Sequence, residues 1–160
     1  REISCVYSLP RMRDELKHYA VQFSNYEGGS TIGTYLAHTA ERREIEFVVF
    51  YGFVPAYDFI ESGSVVESVR VEEDWKAWHE ILVRLNYMFG CGLDLSEIEK
   101  RSEALVKAWD TQTEELAKTH PELQIRQYLT RLAEEFVERP FIPLDDAWDE
   151  LEDLLGDMDE

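Results

Sequence analysis

A chain of 160 residues with 44% apolar content can form one domain, or one domain with a small helical appendage, around a real core. Its net charge of −18, from 34 acidic against 16 basic residues, repels phosphate backbones and anionic membranes, so nucleic-acid and membrane roles are disfavoured. No apolar run is long enough to span a bilayer, and two distant cysteines, Cys5 and Cys91, fit a reducing, cytoplasmic setting better than a disulfide scaffold.

The chain opens at Arg1 without Met or a signal-like segment, which reads as an internal start. Ile3 to Leu9 alternates apolar and small residues up to Pro10 and predicts a strand. Arg11 to Val21, with Met12, Leu16, Tyr19 and Ala20 at helical spacing, predicts a helix. Gly28 and Gly29 suit a tight turn, and Ser30 or Thr31 can cap the helix after it. That helix carries Ile32, Leu36 and Ala40 on one face. Phe47 to Val54 is almost unbroken apolar sequence closed by Pro55, which predicts a strand buried on both faces of a mainly parallel sheet. Turn, helix and buried strand make half of a βαβ unit, so the strands at Ile3–Leu9 and Phe47–Phe53 are expected to lie parallel. Asp58 to Val71 looks irregular, with Val65, Val66, Val69 and Val71 suited to a short edge strand.

From Glu72 the character changes. Trp75, Trp78, Ile81, Leu82, Leu85 and Met88 trace an amphipathic helix that Gly90 and Gly92 end. Asp94 and Glu97 are spaced as a capping box, with Leu93 and Ile98 as its staple, for a second helix bearing Leu105, Trp109 and Leu116. The short connection predicts that the Glu72–Met88 and Asp94–Lys118 helices pair antiparallel, burying Ile81, Leu85, Ile98, Leu105 and Trp109. Pro121 opens a third helix, with Ile125, Leu129, Leu132 and Phe136 inward, and Trp148, Leu151, Leu154 and Leu155 mark a last short one. The expected division is a partial α/β domain over 1–71 and a helical extension over 72–160.

The candidate chemistry is sparse. The Gly28-Gly29-Ser30-Thr31 turn opens a helix, whose amides can hold an anion. It is neither a Walker loop nor a dinucleotide fingerprint, and a plain packing turn explains it more economically. Tyr57 and Asp58 leave the carboxyl end of the predicted strand, where open α/β sheets bind ligands, although Pro55 ending the strand and Tyr57 packing on the sheet is the simpler account. Gly28, Gly29, Ser30, Thr31, Tyr57 and Asp58 are therefore the candidate ligand-binding set. His18, His38, His79 and His120 include no pair at metal-ligand spacing, so neither a metal nor a cofactor is expected. No nucleophile elbow exists and no catalytic residue is assigned, which favours a non-enzymatic protein. Trp75 and Trp78 share one helix three residues apart and are the candidate interface residues. The tail from Asp145 to Glu160 holds nine acids and no Lys or Arg; it reads as a solvated end, or else as a handle for a basic partner.

Several of these stretches also carry a resemblance. Tyr26-Glu27-Gly28-Gly29-Ser30, the helix and strand after it, and Val54-Pro55-Ala56-Tyr57 resemble the second half of the domain of the type-two proteasome-assembly-chaperone family, as in a bacterial or archaeal member. Asp74-Trp75-Lys76-Ala77-Trp78, Leu93-Asp94-Leu95-Ser96-Glu97-Ile98-Glu99 and Phe141-Ile142-Pro143-Leu144-Asp145-Asp146-Ala147-Trp148 continue it over nearly the whole chain. The resemblance implies a phosphorylase- or hydrolase-like α/β fold with a helical extension, its opening strands lying before the equivalent of Arg1. It implies a homo-oligomer that works without ATP through protein contacts, with proteasome subunits or another protein as partner. Relatives that dock on proteasomes end in a hydrophobic-tyrosine-x pattern; this chain ends Gly156-Asp157-Met158-Asp159-Glu160, which weighs against docking by the tail. The alternative is a binder of, or enzyme on, a phosphate- or nucleoside-type small molecule.

Overall fold

The computed structural model describes residues 1–24, 31–61 and 63–135. The first strand, β1 (Ile3–Tyr7), is the middle of a three-stranded sheet, and Ile3, Ser4 and Cys5 are all buried. Pro10 starts a compact helical run: a 3-10 turn at Pro10–Met12, α1 (Arg13–Leu16) and a second 3-10 turn at Lys17–Tyr19. The run ends on Ala20, whose φ of 49° reverses the chain. It tucks Leu16 and Tyr19 against Ile3, Cys5 and Val21. β2 (Gln22–Phe23) then pairs parallel with β1, α2 (Ile32–Glu41) follows, and β3 (Val48–Gly52) pairs antiparallel with β1, Cys5 facing Phe50.

The chain is thus α/β in content, but its strands are mostly antiparallel, and the expected parallel pairing of the first strand with the Phe47–Phe53 run is overturned. The reason is a missed element. Two residues, Gln22 and Phe23, show no periodicity, yet they take the parallel place beside β1, with α1 in their crossover. α2 then runs alongside β1, so β3 must enter from the opposite end. β3 is also half-buried rather than enclosed, because it stands at the sheet's edge in the order β2-β1-β3.

Helices cover both faces of this sheet. α2 lies on the face of Val49 and Tyr51 and buries Gly33, Ala37 and Ala40. A Cβ on Gly33 would sit 2.5 Å from the Tyr51 hydroxyl and 3.0 Å from Val49 Cγ1, so only glycine fits that contact. Of the three apolar residues read as sharing one face, only Ala40 is buried; Ile32 and Leu36 are exposed, because the close approach to the sheet takes the smallest side chains. The opposite face receives α3 (Trp75–Phe89), where a Cβ on Gly52 would meet Ala77 Cβ at 3.0 Å. Ile81 and Met88 of α3 join the Ile3, Cys5 and Leu16 core.

Beyond Pro55 the chain forms a hairpin, β4 (Ala56–Glu61) and β5 (Ser64–Arg70), where an irregular segment with one short strand was expected. Its inward residues Phe59 and Val69 meet Ile125 in a second core, walled by Trp109, Leu116, Tyr128 and Leu129. α3 is capped by Asp74, whose Oδ1 accepts from Ala77 N at 3.0 Å, and stops at Gly90 with φ 56°. α4 (Ser96–Thr119) runs back along it: Leu93 meets Asn86 near the connection, and Arg101 meets Trp75 at the start of α3. The antiparallel pair is present, with Ile81, Leu85, Ile98, Leu105 and Trp109 half-buried. The capping box at Asp94 is not: Leu95 is the N-cap, Asp94 Oδ1 accepts from Ser96 N at 3.0 Å, and Glu97 pairs with Arg101. A 3-10 turn at Pro121–Leu123 leads into α5 (Ile125–Glu135).

Each core draws on elements from both sides of residues 71 and 72. Among the described residues no helix is long and apolar enough to cross a membrane. Phe136, the last predicted helix with Trp148, Leu151, Leu154 and Leu155, and the acidic tail lie outside the described residues.

Candidate functional site

Three of the candidate ligand-binding residues, Gly28, Gly29 and Ser30, lie outside the described residues. Thr31 caps α2: its Oγ1 accepts from Thr34 N at 3.2 Å, while Thr34 Oγ1 accepts from Thr31 N at 2.8 Å. Thr31 Oγ1 also lies 3.0 Å from the Tyr51 hydroxyl, tying the start of α2 to β3. Tyr57 and Asp58 are neighbours on β4, so their side chains leave opposite faces. Tyr57 packs on Trp109 and Tyr128, with ring centroids 6.0 and 6.1 Å away. Asp58 accepts from Ser68 Oγ at 2.7 Å and Arg70 Nη2 at 3.1 Å, and these bonds hold its carboxyl below the usual range. Tyr57, Asp58 and Thr31 are not brought together.

Tyr57 instead lines an open cleft of about 1260 Å³ between the β3 exit, α4 and α5. Phe53, Val54, Val106 and Trp109 supply its apolar wall, and Lys76 and Lys107 line it together with Glu103 and Asp110, so its charges are of both signs. Lys76 Nζ is engaged by Glu80 Oε1 at 2.8 Å, and Arg1 Nε by Asp74 Oδ2 at 2.7 Å.

The titratable groups serve packing. Burial pushes the Cys5 thiol up to about 11, so it does not ionise at neutral pH. His38 contacts Glu41 at 3.4 Å, and His120 contacts Glu122 at 2.9 Å. Arg84 is fully buried, donating from Nε to Tyr19 O at 2.8 Å and from Nη1 to Glu80 Oε2 at 2.8 Å. Burial pushes the Glu80 carboxyl up, but bonds from Lys76 and Arg84 outweigh it and hold the group low. Among the described residues no group of three or more His, Cys, Asp or Glu is placed to hold a metal ion.

The two interface candidates differ. Trp75 meets Trp78 edge-on, centroids 4.7 Å apart, and the Arg101 guanidinium lies 4.6 Å over its ring. Trp75 is therefore half-buried beneath its neighbours, and Trp78 is the more open, at 45% exposure.

A larger apolar surface lies elsewhere. Ile32, Tyr35 and Leu36 on α2 are 81%, 64% and 43% exposed. Main-chain bonding fixes where they face. Phe53 N donates to Glu2 O and Ser8 N to Phe47 O, so the odd residues of β3 turn their polar groups to β1. The even residues Val48, Phe50 and Gly52 turn theirs outward. α2 runs with β1, from Thr31 beside Tyr51 to Ile45, whose carbonyl accepts from the Ser8 hydroxyl at 2.7 Å. A right-handed helix so directed, with Gly33, Ala37 and Ala40 inward, puts Ile32, Tyr35 and Leu36 on the flank over β3's outer edge. Thr34, His38 and Glu41 fall over the β1 and β2 side. The signal in the sequence was the small-residue stripe at Gly33, Ala37 and Ala40, which marks the face that meets the sheet.

Against known proteins, the chain matches no family model, no curated protein and no solved structure.

Proposed function

We propose that this chain is a non-enzymatic, cytoplasmic, oligomeric protein that acts through protein–protein contacts without ATP, as the proteasome assembly chaperones it resembles do. The observation that carries the reading is the uncharged strip from Phe47 to Val54 at the sheet edge, beside the exposed flank of Ile32, Tyr35 and Leu36. Monomers rarely leave such apolar surfaces open. Size-exclusion chromatography with light scattering tests it: a mass above that of one chain is expected, and a monomer at every concentration contradicts it. Pull-down with purified proteasome subunits then tests the more specific partner.

A second reading keeps a phosphate- or nucleoside-type ligand in the cleft beside Tyr57 and Trp109, where aromatic rings can stack on a base. Tryptophan emission titrated with inorganic phosphate and with a nucleoside tests it. A saturable change lost in Trp109→Phe supports the reading, and no change on either titration removes it.

A further inference from the structure

We infer that a second copy of this chain pairs with β3, antiparallel and about a two-fold axis at Phe50, joining two three-stranded sheets into one of six strands. The inference rests on the self-association reading above and names its surface.

Four features carry it. First, the edge is undefended. Native sheets blunt an edge with charge, proline, a bulge or extreme shortness. β2 is only two residues long, and the exposed edges of the β4–β5 hairpin carry Asp58 and Arg70. Between Phe47 and Val54 there is no charged residue and no proline, in a chain of net charge −18. This is a face on which two acidic copies can meet with little repulsion.

Second, the polar groups are in phase. Phe50 turns both its amide and its carbonyl outward, so a two-fold axis there makes Phe50 and its copy a pair that exchanges two hydrogen bonds. Val48 then faces Gly52 of the second copy, and Gly52 faces its Val48.

Third, the helices fit. α2 touches both β1 and β3, so its axis lies about half a strand spacing inside β3. The two-fold axis lies another half spacing outside. With strands about 4.8 Å apart, the two α2 helices stand ~10 Å from one another, within the 8–10 Å at which helices pack. The flanks that meet are those of Ile32, Tyr35 and Leu36, which otherwise stay in water.

Fourth, the size is adequate. A stable interface takes about 800 Å² from each partner. The Phe47–Phe53 segment, whose two ends still bond to β1, spans ~23 Å, and beside an α2 of ~15 Å it offers surface of that order.

The test joins sedimentation to hydrogen exchange on the whole chain. The expected result is a concentration-dependent dimer in which the amides of Val48, Phe50 and Gly52 are protected, and lose protection together on dilution. A dimer whose three amides stay unprotected overturns this interface but leaves self-association standing. A monomer at all concentrations overturns both. Protection of the three amides that does not change on dilution means that the edge is covered within the chain, and also overturns the inference. Two variants keep the helix contact separately testable. Ile32→Lys and Leu36→Glu alter exposed residues, so circular dichroism should be unchanged while the dimer dissociates at least tenfold more readily. Unchanged dimerisation in both overturns the packing of α2 against its copy.

Discussion

At the scale of single residues, burial decides which polar groups matter. Arg84 is completely enclosed, and its bonds reach the Tyr19 and Ala20 carbonyls and Glu80. It fastens α3 to the reversal that brings β2 beside β1. Arg84→Met leaves two carbonyls and a partly buried carboxylate without that donor, so a loss of about 3–5 kcal/mol is expected in urea unfolding. A loss below about 1 kcal/mol would place it with surface ion pairs instead. Glu80 adds a pH signature. Its folded carboxyl is held below the ordinary value of 4.5, so its contribution is full above that pH and is lost as pH falls through the lowered value. The stability gap between the parent and Glu80→Gln should therefore close in acid; a gap that stays constant with pH contradicts the pairing. The two thiols make a simpler contrast. Cys5 is buried with its thiol pushed up to about 11, whereas Cys91 is exposed. An aromatic disulfide reagent at pH 8 should titrate one thiol in the folded chain and two after denaturation.

At the scale of elements, side-chain size at a few positions sets the geometry. Gly33→Leu raises helix propensity but drives a side chain into Tyr51 and Val49. A net destabilisation of about 1–3 kcal/mol is expected from overpacking, read as a lower thermal midpoint. Trp75 is half-buried beneath Arg101, so Trp75→Ala should cost about 2 kcal/mol and leave the assembly size unchanged. A smaller species from that variant would return Trp75 to the interface. These elements also show what the sequence disclosed. The α3–α4 pair was legible because Ile81, Leu85, Ile98 and Leu105 repeat at helical spacing and two glycines mark the connection. β2 was not, since two residues carry no period and only tertiary pairing makes Gln22 and Phe23 a strand. The β4–β5 hairpin was hidden by Asp58 and Ser68, which interrupt the apolar pattern yet bond to each other across the strands. For the candidate site, Tyr57 was found at a cleft, but the pairing with Asp58 failed on strand alternation. The exposed α2 flank was not legible, because Ile32 and Leu36 share an apolar face with Ala40 and only the Gly33, Ala37 and Ala40 stripe marks the side that meets the sheet.

At the scale of the whole molecule, two cores are threaded through one another. The Ile3, Cys5 and Leu16 core takes α3 from the later half of the chain, and the Ile125 core takes β4 and β5 from the earlier half. The β3–β4 connection and the α3–α4 pair link them, so the described chain is expected to unfold in one transition. Among the described residues, one of the apolar surfaces left open joins an uncharged strand edge to an apolar helix flank. The central claim is that this side is closed by a second copy. Sedimentation equilibrium over a dilution series measures it directly. The account predicts a mass that rises toward twice that of the chain with increasing concentration, and that stays at one chain for Leu36→Glu. A parent chain that remains a stable monomer at every concentration would contradict it.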